Sequence, residues 1–325
     1  MKKQPRTFKQ DRMARIYDQE ILPIWSQRFG RMMLRELQLP PKAMVLDVAC
    51  GTGYPSLEVM RRLDDQSRII AIDPSAPLLD VARRKAGEAS GRRIFFRTEG
   101  ASPKLSFTDE VYDLVLCNLG LDEVDEPCQA LREFARVAKL GAQVVATLTM
   151  RGTWSEFYDI YREVLIKHDL HETLARLEKL CERHPEPDTA IRWMEEAGLG
   201  TVGLDVESFT LLFKSSREFF FAPLIEYGPL PAWKEVAGKG QQMQDVFWYI
   251  KEAIDAYFRD RAFAITVVAG CLRGTKASPT AEVTSPVVRV QPRTGEEIEV
   301  VTGEIEIDAV IPLDDNGGDD VGGLN

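Results

Sequence analysis

Cysteine and histidine are scarce: the chain of 325 residues holds five cysteines and three histidines. Cys50, Cys117, Cys128, Cys181 and Cys271 are odd in number and scattered, with no Cys-x-x-Cys pair and no histidine at ligand spacing. That pattern argues against a disulfide framework and against a bound metal, and it suits a reducing cytoplasm. No stretch approaches the roughly 18 apolar residues of a membrane span. The start, Met1-Lys-Lys-Gln-Pro, lacks the apolar segment of a signal peptide, so a soluble, cytoplasmic protein is expected. An excess of positive charge is missing as well. The formal net charge is −10, which disfavours a nucleic-acid partner, and a basic face with Lys9, Arg12, Arg15, Arg28, Arg31 and Arg35 reads as a solvated helix surface. The negative charge is concentrated: from Lys276 onward there are eleven carboxylates against three cations, leaving 40 against 38 in the preceding 275 residues.

Apolar residues are not lacking, and their periodicity orders the chain. Residues 10 to 37 place Met13, Ile16, Tyr17, Ile21, Ile24, Trp25, Phe29 and Met33 at helical spacing, broken at Pro23. Short apolar runs at 43–48, 68–72, 93–97, 111–117 and 143–148 read as buried strands, with helices at 55–63, 76–88 and 127–139 between them. Strands alternating with helices at this spacing make βαβ units, so the fold class is α/β, a doubly wound Rossmann-like sheet. Helical text at 153–182, 189–197 and 232–258, with strands at 202–213 and 262–272, completes an expected seven-stranded sheet. Residues 1–40 are read as an N-terminal helical cap, 41–275 as the main domain, and 276–325 as an acidic, largely disordered tail. In that tail Glu297-Ile-Glu-Val-Val and Gly303-Glu-Ile-Glu-Ile-Asp alternate with period two, which suits a marginal hairpin or a strand borrowed by a protein partner.

The chemistry concentrates at the first two strand ends. Val45-Leu46-Asp47-Val48-Ala49-Cys50-Gly51-Thr52-Gly53-Tyr54 closes the first strand. Gly51 and Gly53 remove Cβ atoms where the backbone must turn sharply, so main-chain N–H groups can approach a ligand at the next helix N-terminus. Asp47 offers a carboxylate to an ammonium or a hydroxyl. Asp73, in Ile69-Ile-Ala-Ile-Asp73-Pro74-Ser75, ends the second strand, where a carboxylate can accept both hydroxyls of a ribose. The plainer reading of Asp73 is a cap on the helix that begins near Ser75.

These segments resemble the class I S-adenosyl-L-methionine (SAM) dependent methyltransferases, and above all the branch of the ubiquinone and menaquinone C-methyltransferases. The resemblance runs from about residue 12 to 275. It rests on Tyr17-Asp18, Leu46-Asp47-Val-Ala-Cys50-Gly51-Thr-Gly53, Asp73-Pro74-Ser, Leu105-Ser-Phe107-Thr-Asp109-Glu-Val-Tyr-Asp113 and Glu196-Ala-Gly198-Leu. It implies a last strand running antiparallel, and SAM as cofactor. It also implies that Asp47 faces the methionyl ammonium, that Ala49, Cys50, Gly51 and Gly53 form the loop beneath the methionine and ribose, and that Asp73 holds the ribose hydroxyls with Pro74 beside it. Asn118 would lie between the methionyl end and the acceptor, and Tyr17 and Tyr54 would close over the cofactor or simply pack. Two departures stand out. Glu99-Gly100-Ala101-Ser102 lacks the carboxylate that the family places near the adenine amine, leaving Ala101 and Ser102 to supply a neutral hydrogen bond there, and Ala49 replaces a glycine.

A sulfonium methyl is already activated, so alignment of nucleophile, carbon and sulfur is the main requirement, and orientation of that kind supplies roughly 7–11 kcal/mol. Where the acceptor needs a base, His168, His171, Asp122 and Tyr158 are the candidates, each with packing or solvent exposure as the plainer reading. Between Arg151 and Phe263 lie 18 of the 28 aromatic residues. They suggest that helical insertions at 151–185 and 215–258 form a lid over a small, partly hydrophobic acceptor. The alternatives are a SAM-binding scaffold without turnover and a nicotinamide-dependent oxidoreductase. The latter suffers because Gly51-Thr-Gly53-Tyr-Pro-Ser lacks the third glycine position. A nucleic-acid methylase is disfavoured because Asn118-Leu-Gly-Leu121 is not Asn-Pro-Pro-aromatic.

Overall fold

The computed structural model describes residues 8–101, 104–277, 286–290 and 299–300. Helix α1 (Phe8–Ile16) runs into one π-helical turn (Tyr17–Ile21), and after the break at Pro23 α2 (Ser26–Glu36) follows. Phe29, Met32 and Met33 of α2 are buried, packed against the sheet. Gly30 makes room on α2 for the Tyr54 ring, since a Cβ there would lie 2.3 Å from Tyr54 Cε1.

The chain then alternates as the periodicity predicts: β1 (Met44–Val48), α3 (Ser56–Arg62), β2 (Arg68–Asp73), α4 (Ala76–Ala86), β3 (Ile94–Thr98), β4 (Tyr112–Asn118), α5 (Pro127–Val137) and β5 (Ala138–Thr149). Helices α6 (Ser155–Lys167), α7 (His171–Cys181) and α8 (Pro187–Glu196) precede β6 (Leu199–Phe213). Helices α9 (Ser216–Phe221), α10 (Pro223–Glu226), α11 (Leu230–Ala237) and α12 (Gly240–Tyr257) precede β7 (Phe263–Lys276). Two of the expected helices are divided. The stretch 153–182 breaks where Asp169 takes a left-handed φ of 56°, and 232–258 breaks at Gly238, whose φ of 108° suits only glycine.

The strand order is β3-β2-β1-β4-β5-β7-β6-β8. Strands β1 to β5 pair in parallel, and β7 runs antiparallel to both β5 and β6. The expectation of seven strands needs correcting, because the outer edge of β6 is not left open. Val287–Val290 (β8) pairs with it in parallel at Gly203–Val206, and the two residues Glu299–Val300 (β9) pair with it at Leu211–Leu212. An open strand edge is a row of unpaired N–H and C=O groups. The β-branched run of β8 satisfies part of that row, in a segment whose composition reads as unordered. The second alternating run, 303–308, lies outside the described residues.

Side chains alternate across the sheet, so two cores form. One face gathers Val45, Leu114, Leu116 and Val145 with Phe29, Met33 and Trp154. The other gathers Leu46, Val115 and Val144 with Phe134, Met194 and Leu204. The insertions add an aromatic block to the first core: Phe157 packs 4.0 Å from Trp233 between ring centroids. Tyr161 Oη donates to the Trp233 carbonyl at 2.9 Å, and Trp233 Nε1 donates to Tyr158 Oη at 3.2 Å. Among the described residues no helix is long and apolar enough to cross a membrane, and no group of His, Cys, Asp and Glu could hold a metal ion.

Candidate functional site

In a doubly wound sheet the strand order reverses where two neighbours carry their connections to opposite sides, and a crevice opens beyond their carboxyl ends. Here that point lies between β1 and β4. A cavity of about 790 Å³ opens there.

Each wall follows from a local constraint. The chain leaves β1 through Ala49 with φ 59° and Gly51 with φ 53°, and leaves β4 through Leu119 with φ 65°. For a residue with a side chain this conformation costs roughly 1–2 kcal/mol, and such strain concentrates where a site over-determines the backbone. The two loops touch. A Cβ on Gly120 would lie 2.6 Å from the Ala49 Cβ and 2.7 Å from Cys117 Sγ, so position 120 must be glycine for both loops to keep their path.

Asp73 fixes the first loop from β2. Its Oδ2 accepts from Gly51 N at 2.9 Å and its Oδ1 from Ser75 N at 2.8 Å. Both oxygens keep a lone pair for a further donor. The helix-capping reading and the ligand reading of Asp73 are therefore compatible. Burial raises its pKa, and the two N–H groups oppose the shift.

Of the residues singled out from the sequence, Tyr17, Ala49, Gly51, Asp73, Pro74, Ala101 and Asn118 line the cavity. Tyr17 lies over the glycine loop, its ring 3.5 Å from where a Gly51 Cβ would stand. Its hydroxyl sits 2.9 Å from Ser26 Oγ, and burial pushes its pKa up to about 12. Asn118 is held at both ends: Nδ2 donates to the Ser26 carbonyl at 3.1 Å, and Oδ1 accepts from Thr147 Oγ1 at 2.8 Å.

Asp47, Cys50 and Gly53 stand behind that lining. Asp47 is fully buried and accepts the Ser56 hydroxyl on Oδ2, while its Oδ1 meets no hydrogen-bond partner among the described residues. Burial, followed by the Asp73 charge, pushes its pKa up to about 7 against the opposing Ser56 bond. Cys50 N donates to the Ile72 carbonyl at 3.0 Å, tying the loop to β2. Gly53, with φ 95°, lets α3 and α4 approach, since a Cβ would meet Leu57 at 3.1 Å. Tyr54 donates to the Gln27 carbonyl at 3.2 Å and belongs to the packing of α2. Ser102 lies outside the described residues.

None of the four candidate bases lines the cavity. His168 stacks on Tyr249 with centroids 3.8 Å apart, and the His171 side chain is exposed at the start of α7. Tyr158 is buried in the aromatic block, which pushes its hydroxyl pKa up. Asp122 turns toward Thr149, whose N–H and hydroxyl it accepts. Ser26, Glu123 and Trp25 also line the cavity, although the sequence marks the first two by no motif and the third only as a packing residue of a helix. Of the insertions, Leu224, Tyr227 and Gly228 reach the cavity, and the aromatics of α6 do not. These placements depend on how distant elements meet, and no local pattern marks them.

The cavity fits an adenosylated methionine in its acceptor group, its small-residue floor and its space. A carboxylate with spare lone pairs sits at the second strand tip, small residues floor the first loop, and Pro74 and Ala101 offer flat apolar flanks.

The model of the ubiE/COQ5 methyltransferase family matches residues 7–212. The chain belongs to that family. The resemblance read from the motifs is thus the family found, and the nicotinamide alternative falls with it. The chain is 33% identical over 143 residues to a demethylmenaquinone methyltransferase of Lactiplantibacillus plantarum, covering 43% of this chain and 60% of the relative. It is 30% identical to that of Shouchella clausii, covering 39% and 54%. The matched segments span less than two thirds of these relatives. A putative methyltransferase structure from Bacillus halodurans shares the fold at 18% identity, with a TM-score of 0.50 and coverage of 77% of this chain and 99% of that one.

Proposed function

We propose that this chain transfers a methyl group from SAM to a small, partly hydrophobic acceptor by in-line displacement, with a quinone-type aromatic ring as the acceptor class. One observation carries the reading. Asp73, pinned by two main-chain N–H groups, presents its carboxylate to the cavity at the switch point of the sheet. A carboxylate so held matches a ribose diol, and the loop beneath it has no bulky side chain to exclude the methionine.

SAM supplies an activated methyl on a sulfonium centre. Asp73 accepts the ribose hydroxyls, Ala101 and Pro74 flank the adenine, and Tyr17 closes over the Gly51 loop to exclude water. Asp47 acts from behind, with its unpartnered Oδ1 available to a water that bridges to the methionyl ammonium. Asn118, fixed by Ser26 and Thr147, forms the wall between donor and acceptor. Trp25, Leu224 and Tyr227 supply the apolar and aromatic surface that an acceptor ring needs. On this reading α10 and the turn after it act as the lid, the rest of the insertions support it, and the protein works in the cytoplasm. The acidic tail suits a basic protein partner.

Isothermal titration with SAM, followed by mass-spectrometric detection of a methylated product, tests the proposal. Absence of binding by the purified chain overturns it. Binding without turnover on any aromatic acceptor marks a scaffold instead.

A further inference from the structure

Two consecutive carboxylates on the turn after β4, Asp122 and Glu123, face different ways. Asp122 is committed to the protein: Oδ1 and Oδ2 accept from Thr149 N at 3.2 and 3.1 Å, and Oδ2 accepts the Thr149 hydroxyl at 3.0 Å. Thr149 Oγ1 lies in turn 2.8 Å from His184 Nδ1, in the connection between α7 and α8. The turn is therefore anchored to the end of β5 and to the insertion at once. Its other neighbour, Gly120, is locked against Ala49.

Glu123, next to the anchored Asp122, lines the cavity, as Asp125 and Glu126 do beyond it. No hydrogen bond or ion pair among the described residues engages it. Its charge reaches Tyr17 and Asp73, where burial first and Glu123 afterwards raise both pKa values. Asp73 already receives two N–H groups, and the other two carboxylates that line the cavity, Asp125 and Glu126, are not among the charges that raise Tyr17 and Asp73. Glu123 is thus the exposed cavity-lining carboxylate whose charge reaches Tyr17 and Asp73, with no partner among the described residues, on a turn that Asp122 anchors.

Building on the methyl-transfer reading, we infer that Glu123 is a specificity-determining residue that accepts a hydrogen bond from a hydroxyl on the acceptor ring, and that Asp122 is its positioning residue. An ionised carboxylate has lone pairs and no proton. It therefore favours a ring bearing O–H over the same ring bearing an ether or carbonyl oxygen, because the latter sets acceptor against acceptor. A site built to hydrogen-bond a hydroxyl discriminates strongly against analogues lacking it. The hydroxyl-bearing, electron-rich form of a quinone-type ring is also the form whose carbon or oxygen can attack a methyl group.

The test uses the full chain saturated with S-adenosylhomocysteine. Binding of 1,4-dihydroxynaphthalene, kept reduced under nitrogen, is compared with binding of 1,4-dimethoxynaphthalene by titration calorimetry. The wild type is expected to favour the diol by at least about tenfold, the scale of one charge-assisted hydrogen bond. Glu123→Gln, which can donate to an ether oxygen, is expected to bring the ratio below about threefold while S-adenosylhomocysteine still binds. Asp122→Ala should lower the ratio in the same way, and Asp122→Asn, which can still accept from Thr149 N, should restore most of it. A wild type that does not favour the diol, or an unchanged ratio in Glu123→Gln, overturns the inference and leaves cofactor binding intact. Failure to bind S-adenosylhomocysteine at all refutes the methyl-transfer reading itself.

Discussion

The loops beyond β1, β2 and β4 and the aromatic block of the insertions are held by opposite means. The loops are small and polar, and they keep their shape because carboxylates receive main-chain N–H donors, as Asp73 does from Gly51 and Ser75, and because the Asn118 amide bonds the Ser26 carbonyl and the Thr147 hydroxyl. The block has few polar anchors and keeps its shape by volume, with Trp233 filled around by Phe157, Phe219 and Trp154. Directional bonds fix atoms to a few tenths of an ångström, which a ligand site requires. Close packing supplies free energy in bulk and tolerates looser placement. Ligand affinity and fold stability should accordingly separate between the two regions.

The largest expected effect tests that separation from the packed side. Trp233→Ala removes a fully buried ring and should lower unfolding free energy by about 4 kcal/mol in urea denaturation. SAM affinity of the folded fraction should stay the same, and a weakened affinity would break the comparison. Next comes Asp73→Ala, which removes charge-assisted acceptors for the ribose diol and the anchor of Gly51. The dissociation constant for SAM in calorimetry should rise by about 100-fold, with a smaller loss of stability than Trp233→Ala.

A third, smaller effect concerns Asp47. Its pKa is raised from 3.8 to about 7 in the folded chain, so the folded state holds the proton over that range more tightly than the unfolded chain. The stability this contributes is complete below pH 3.8 and declines as pH climbs through about 7. Asp47→Asn escapes the decline. It should match the wild type near pH 4 and exceed it by about 2 kcal/mol at pH 8, part of the full linkage value, in denaturation curves across that range. A gap that narrows with rising pH would contradict the sign. The smallest change is Tyr17→Phe, which keeps the ring over Gly51 and loses the contact to Ser26. A single hydrogen bond of this kind contributes about 1 kcal/mol, so SAM affinity should fall by about fivefold or less in the same titration.

The sheet was legible in the sequence because its signals are local. Apolar runs ending in Gly51-Thr-Gly53 and in Asp73-Pro74 mark strand tips directly, and β1 and β2 lie within a residue or two of where those runs place them. The partition of roles behind the tips was not legible. Nothing in the run around Asp47 reveals that Ser56 occupies one of its oxygens, since that bond crosses the turn into the next helix. Residue type alone marks the candidate bases, yet Tyr158 and His168 are consumed by packing against the second insertion. Glu123 carries no motif of its own. It faces the cavity because Gly120, Asp122 and Thr149 are bonded or packed elsewhere, which only the assembled loops make visible. Strand β8 was missed for a different reason: its partner, the outer edge of β6, lies some 80 residues upstream.

Trp25 gives the molecule a built-in optical reporter. Its indole forms part of the cavity wall while stacking on Trp154 at 5.5 Å, so one emitting ring touches the occupant and its neighbour senses the insertion. Emission from this pair ties arrival of a purine or quinone chromophore to any rearrangement of the helices behind it, with no label attached.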